Sequence, residues 1–145
     1  MTRQRAKRHH RFEEGYTLLE LLVVLGIIAA LSAIVAPRVI GYLGQAKSDA
    51  ARAQLANVQS ALELYYLDTG TYPTSDQGID ALIRAPANVT AWRGPYLKKD
   101  AGLLDPWGKK FVYAQPGEHG PFDLSSFGRD GKVGGDGEDG DLVSW

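Results

Sequence analysis

Between Thr17 and Pro37 every residue is apolar or glycine except Glu20 and Ser32. Wound as a helix, Leu18 to Ala36 spans about 28 Å, close to the ~30 Å hydrocarbon core of a bilayer. No other stretch of the chain narrows its possible folds so far. A carboxylate at the centre of such a span costs about 2.5–3.5 kcal/mol on insertion scales. Glu20 therefore predicts a partner for its charge. Arg3, Arg5, Lys7, Arg8 and Arg11 precede the run. The positive-inside rule holds them in the cytoplasm and sends the carboxyl-terminal part across.

Beyond Pro37 the pattern becomes one-sided. Leu43, Ala46, Ala50, Ala51, Leu55, Val58, Leu62 and Tyr65 or Tyr66 recur at spacings of three and four. That spacing predicts an amphipathic helix. One helix from about Tyr16 to Leu67 is expected, interrupted or bent at Pro37. Asp68-Thr69-Gly70 reads as its stop. A stripe of this length needs a globular partner to cover it.

Residues 71–108 are dense in turn signals, with a short helix expected from about Asp76 to Arg84. Trp92, Tyr96, Leu97, Leu103, Leu104 and Trp107 read as anchors into the core. Lys110 to Ala114 and Phe122 to Phe127 read as two strands joined by a Pro-Gly-rich hairpin loop, with a third near Leu142 to Trp145. The fold class is α+β: a long amino-terminal helix, half transmembrane and half amphipathic, packed on a small antiparallel sheet.

From Asp130 to Asp141, five acids and five glycines share twelve positions. Hard oxygen donors on a permissive backbone suit Ca²⁺, which takes six to eight oxygens. The EF-hand spacing is absent, and a single copy of a β-roll-like nonapeptide does not stack. A solvated acidic loop is the competing reading.

Charge and motifs exclude much else. A net charge of −1 argues against a nucleic-acid partner. Without cysteine there is no disulfide framework. His9 and His10 lie in the basic start, and His119 stands in the hairpin loop as a solvated turn residue. No nucleophile elbow, Walker loop or zinc spacing occurs, so no enzyme is expected.

Three readings of the amino terminus compete. Ala30-x-Ser32 is a passable signal-peptidase site, but the run is long and carries an acid. A plain signal anchor, carrying a periplasmic binding protein or enzyme, leaves Glu20 unexplained. The third rests on resemblance. Gly15-Tyr16-Thr17-Leu18-Leu19-Glu20 resembles the leader of type IV pilins and type II secretion pseudopilins, with Tyr16 where Phe is usual. Further blocks resemble the major pseudopilin of type II secretion systems. They are Tyr72-Pro73-Thr74-Ser75-Asp76-Gln77-Gly78, Trp92-Arg93-Gly94-Pro95-Tyr96-Leu97, Asp105-Pro106-Trp107-Gly108, and Phe122-Asp123-Leu124 before Gly128-Arg129-Asp130-Gly131.

That resemblance implies a pilin-like fold in five parts. Residues 1–15 form a cytoplasmic leader, 16–37 a transmembrane and filament-core helix, and 38–70 its amphipathic half. Residues 71–108 form a loop region with a short helix, and 109–145 the sheet with a calcium-binding loop. It implies that a prepilin peptidase cuts between Gly15 and Tyr16 and methylates the new amine of Tyr16. It implies that Glu20 pairs with that amine during assembly and that Pro37 marks a site of helix melting in filaments. It implies a Ca²⁺ ion, with Asp130 as the firmest side-chain ligand and the carbonyls of Phe127 and Gly135 as backbone ligands. Asp136, Asp139 and Asp141 stay open as further ligands. The implied partners are further copies of the chain, minor pseudopilins, an inner-membrane assembly platform with its ATPase, and an outer-membrane secretin. The implied role is a periplasmic pseudopilus that exports folded proteins. A type IV pilin for adhesion, motility or DNA uptake is the neighbouring alternative.

Overall fold

The computed structural model describes residues 16–98 and 100–145. Gly15 and the basic leader lie outside the described residues. The chain divides into two compact units, one ending at Val39 and the other running from Ile40 to Trp145.

The first unit is helical throughout from Leu18, the start of α1 (Leu18–Thr69). Thr17 caps it: its hydroxyl accepts the Glu20 amide N–H at 3.2 Å, and its carbonyl accepts the Leu21 amide at 3.2 Å. Glu20 thus sits in the first turn, where the positive end of the helix favours an anion. Pro37 lies inside α1, which stays helical past it. The helix is not interrupted at Pro37, which lacks the N–H that would have reached the Ala33 carbonyl.

In the second unit, α1 turns one face inward. Ala51, Leu55, Val58, Leu62 and Tyr65 are almost fully buried. Each large apolar member contributes about 1.5–3 kcal/mol of transfer free energy. The expected face is corrected at its amino-terminal end: Leu43, Ala46 and Ala50 are exposed, while Gly44 and Ser48 are buried. The buried positions 44, 48, 51, 55, 58, 62 and 65 keep the alternation of four and three. Two of them are simply not apolar. The helix ends where the sequence places its stop, with Gly70 at φ 76° donating to the Tyr66 carbonyl at 2.8 Å.

The loop region packs on this face. The helix expected at residues 76–84 is a shorter 3₁₀ turn, Ile79–Leu82. A turn closes ahead of it: the Thr74 amide donates to Gln77 Oε1 at 2.9 Å and the Gln77 amide to Thr74 Oγ1 at 3.3 Å. Gly78, at φ 58°, then breaks the helical path. Ile79, Ala81 and Leu82 are buried beside Leu97 and Leu103. Trp92, Tyr96 and Trp107 are half-buried against the same core. Each large aromatic finds a partner for its polar tip, as when Trp92 Nε1 donates to the Ala81 carbonyl at 2.8 Å and the Tyr96 hydroxyl to Asp68 Oδ2 at 2.8 Å.

The sheet has three antiparallel strands in sequence order: β1 (Val112–Ala114), β2 (Asp123–Ser126) and β3 (Leu142–Val143). Tyr113 faces Leu124, and Ser126 faces Leu142. The strands are shorter than the sequence suggests. Lys110 leaves the ladder to bridge Leu104, and Ser144 continues the pairing through its own groups. Its amide donates to the Leu124 carbonyl at 3.0 Å, and its hydroxyl accepts the Leu124 amide at 3.0 Å. Gln59 Nε2 of α1 donates to the Ser144 carbonyl at 3.2 Å, tying helix to sheet.

Candidate functional site

Two regions are candidates for function. The first is the start of α1. Apolar side chains from Leu18 to Leu43 stand exposed, with Leu18 at 79% and Leu19 at 72%. A continuous apolar surface on a helix long enough to cross a membrane has no stable home in water. Tyr16 is also exposed, and Glu20 projects from the capped first turn.

The second region is the acidic glycine loop. Its backbone path needs glycine: Gly128, Gly131, Gly134, Gly135 and Gly137 all have positive φ. At Gly128 a Cβ would lie 2.5 Å from the Glu138 carbonyl oxygen, and at Gly135 a Cβ would lie 2.5 Å from the Asp139 carbonyl oxygen. These close approaches fold the loop on itself. The Arg129 amide donates to the Glu138 carbonyl at 2.7 Å, and the Gly131 amide to the Phe127 carbonyl at 2.9 Å.

The predicted ligands are distributed unequally. Asp130 Oδ1 accepts the Lys132 amide at 3.0 Å. Asp141 Oδ2 accepts the Gly134 amide at 2.9 Å, while its Oδ1 is buried with no partner among the described residues. Asp136 is exposed, and its carbonyl starts the 3₁₀ turn Gly137–Asp139. Asp139 is already occupied: Arg129 Nε and one terminal nitrogen donate to its two oxygens at 2.9 and 2.8 Å. That guanidinium bond holds the Asp139 carboxyl below the usual range. Among the described residues, no three acids or histidines converge into a cation cage. The donor chemistry still fits a hard cation at Asp141, whose orphaned buried oxygen is a costly feature without one. Asp139 fits that role poorly.

Sequence reasoning missed several residues here. Glu138 is the pivot of the loop. Its Oε2 accepts from Trp107 Nε1 at 3.2 Å, and its Oε1 lies 3.6 Å from the Arg129 guanidinium. Gly44 and Ser48 receive this end of the loop. The Ser48 hydroxyl lies 3.3 Å from the Gly44 carbonyl and 3.5 Å from the Gly137 carbonyl. Lys109 Nζ donates to the Arg129 carbonyl at 2.6 Å. Asp105 is buried: its Oδ1 accepts the amides of Trp107 and Lys109, and its Oδ2 accepts the Ser126 hydroxyl at 2.7 Å. The sequence shows the Asp-Pro-Trp-Gly turn but not that its acid faces inward. His119 is exposed in the hairpin loop, as expected, and has partners there. Its Nδ1 lies 3.0 Å from Asp123 Oδ2, and its ring stacks on Trp145 with centroids 4.0 Å apart.

An exposed apolar helix capped beside a lone acid, continued by an amphipathic half that carries a small antiparallel sheet, defines a membrane-anchored subunit of the pilin-like class. Comparison with known proteins narrows the class. The family described as type II secretion system (T2SS), protein G matches residues 38–145, and the prokaryotic N-terminal methylation motif matches residues 10–36. The type II secretion system core protein G of Pseudomonas aeruginosa is 40% identical over 139 residues, covering 93% of this chain and 96% of its own. Its Escherichia coli K12 counterpart is 37% identical over 139 residues, covering 92% and 91%. The crystal structure of the major pseudopilin from the type 2 secretion system of enterohaemorrhagic Escherichia coli superposes with a TM-score of 0.59 at 27% identity. That match covers 73% of this chain and 92% of the other. The chain belongs to the type II secretion system protein G family. It is a pseudopilin, a structural subunit of the secretion machinery and not an enzyme.

Proposed function

We propose that this pseudopilin is held in the inner membrane by residues 16–37, with its leader in the cytoplasm and residues 38–145 in the periplasm. A prepilin peptidase cuts between Gly15 and Tyr16 and methylates Tyr16. The subunits then leave the bilayer and polymerise into a pseudopilus that pushes folded proteins through an outer-membrane secretin. An inner-membrane platform and its ATPase drive assembly, and minor pseudopilins cap the tip.

The observation that carries this reading is the position of Glu20. It lies in the first helical turn, four residues after Tyr16, with the apolar surface starting beside it. Cleavage places a new cation at Tyr16. A carboxylate and an ammonium attract strongly once removed from water, and either alone is costly there. Glu20 of one subunit pairing with the amine of another fixes their stagger. Pro37, one backbone donor short, is where the helix yields when subunits pack.

Calcium completes the proposal. Asp130, Asp141 and the carbonyls of Phe127 and Gly135 would hold Ca²⁺, with Asp136 beside them. The ion would neutralise acids that otherwise repel one another. Support comes from the unpartnered buried oxygen of Asp141 and from the oxygen-only donor set.

A deletion strain assayed for release of folded exoproteins, together with amino-terminal sequencing of the mature subunit, tests the whole reading. Secretion should fail, and the mature chain should begin at a methylated Tyr16. Undiminished secretion, or a cellular form that still begins at Met1, would refute it.

A further inference from the structure

The five acids of residues 130–141 do not share one environment. Glu138 and Asp139 face a cation supplied by the chain itself. Arg129 grips Asp139 with two parallel bonds of 2.9 and 2.8 Å and stands 3.6 Å from Glu138 Oε1. A two-pronged guanidinium–carboxylate pair is the strong form of an ion pair. Arg129 is itself fixed at both backbone ends, its amide on the Glu138 carbonyl at 2.7 Å and its carbonyl on Lys109 Nζ at 2.6 Å. The fork therefore has little freedom left to lose. The segment it holds, Gly137–Asp139, is the one that rests on Gly44 and Ser48 of α1 and on Trp107. Asp130 and Asp141 differ. Each accepts a single backbone amide, neither is in an ion pair among the described residues, and Asp141 keeps one buried oxygen unpartnered.

We propose that Arg129 is a built-in counterion that divides the acidic loop. It closes the Glu138–Asp139 half onto α1 without metal and leaves Asp130 and Asp141 as the carboxylates open to a divalent cation. The inference rests on the calcium reading for its second half only. It makes Arg129 a positioning residue and removes Asp139 from the ligand set. The loop then has two independent closures, one covalently part of the chain and one set by the calcium around it.

The test uses the mature full-length chain in detergent micelles, stripped with a chelator and then titrated with CaCl₂. Trypsin nicking after the exposed Lys132 reports opening of the loop, and mass spectrometry identifies the fragment. In chelator, Arg129→Ala and Asp139→Asn should each be nicked about five-fold faster than the wild type, because cleavage follows the population of the open loop. In calcium, Asp139→Asn should keep the wild-type half-saturation within about two-fold, whereas Asp141→Asn should lose protection. Wild-type nicking of Arg129→Ala in chelator, or a calcium midpoint moved about ten-fold or more by Asp139→Asn, would overturn the proposal. A wild-type chain indifferent to calcium would overturn the calcium reading, while the chelator comparison would still decide the role of Arg129.

Discussion

Gly44 and Glu138 occupy one space. A Cβ built on Gly44 would stand 2.5 Å from Glu138 Oε1 and 2.8 Å from its Cδ. The carboxylate cannot simply swing aside, because Trp107 Nε1 and the Arg129 guanidinium hold its two oxygens. A bare helix surface at position 44 is thus what lets the end of the acidic loop lie on α1.

Gly44→Ala sets two effects against each other. Alanine in a helix interior gains about 1 kcal/mol over glycine. Displacing Glu138 loses its hydrogen bond to Trp107 and its pairing with Arg129, worth about 1.5–3 kcal/mol for a bond to a charged group. Gly44→Ala alone should therefore destabilise by about 1 kcal/mol. In a Glu138→Ala background the same change should stabilise by up to about 1 kcal/mol. Thermal melts of the four proteins in detergent give the cycle; a change of the same sign in both backgrounds would show that the two residues do not compete.

Asp105 organises the turn that brings Trp107 to Glu138. Its buried carboxylate satisfies two amides and one hydroxyl at 2.7–3.1 Å. Asp105→Ala strands those donors and should cost about 3 kcal/mol. Asp105→Asn keeps one acceptor oxygen and should cost about half as much. The melting temperatures of the two variants check the order, and an alanine variant as stable as wild type would remove Asp105 from this role.

The stretch from Ala51 to Tyr65 was legible because each inward residue is apolar and the period is strict. Its first turn was not. Gly44 and Ser48 are inward because Gly137 and Glu138 lie over them, and a contact 89 positions away leaves no mark on local hydropathy. The acidic loop was legible as a cation-friendly composition. Its division was hidden because Arg129, one basic residue beside an acidic run, reads as solvated charge until the fold turns Asp139 back onto it. His119 is exposed in the hairpin loop, as the sequence suggests, but its stacking on Trp145, from beyond β3, leaves no local mark. Residue type alone extends the strand ends too far, because it does not show that Lys110 swings to Leu104.

Asp123 makes this sheet sensitive to acid. Burial alone would raise its carboxyl pKa, but the bond from His119 and the amides of Glu118 and His119 outweigh burial and hold it below the usual range. A depressed carboxyl stabilises the fold above its unfolded value of about 3.9, and that contribution is lost as pH falls through the folded value. Melting temperature should therefore drop more steeply below about pH 4 in the wild type than in Asp123→Asn. The two curves should converge in strong acid; parallel curves from pH 6 to about pH 2 would show that Asp123 is not the group responsible.

The pairing proposed for Glu20 makes insertion and assembly separable by experiment. It lies in the apolar run yet at its amino-terminal turn, capped by Thr17, so the membrane bears less than the ~2.5–3.5 kcal/mol of a mid-bilayer acid. Glu20→Ala removes that cost and leaves the rest of the apolar surface intact. Membrane-bound protein should match or exceed the wild-type level. On the proposed pairing, filaments should nevertheless fall by about ten-fold or more, because the Tyr16 amine of each incoming subunit would then enter the core unpaired. Glu20→Gln, with equal size and no charge, should fail almost as badly, which distinguishes a need for charge from a need for bulk. Sheared-filament yield against membrane-fraction yield, measured in the same cells, gives the answer: equal losses in both would mark Glu20 as an insertion residue, and wild-type filament yield from Glu20→Gln would end the pairing model.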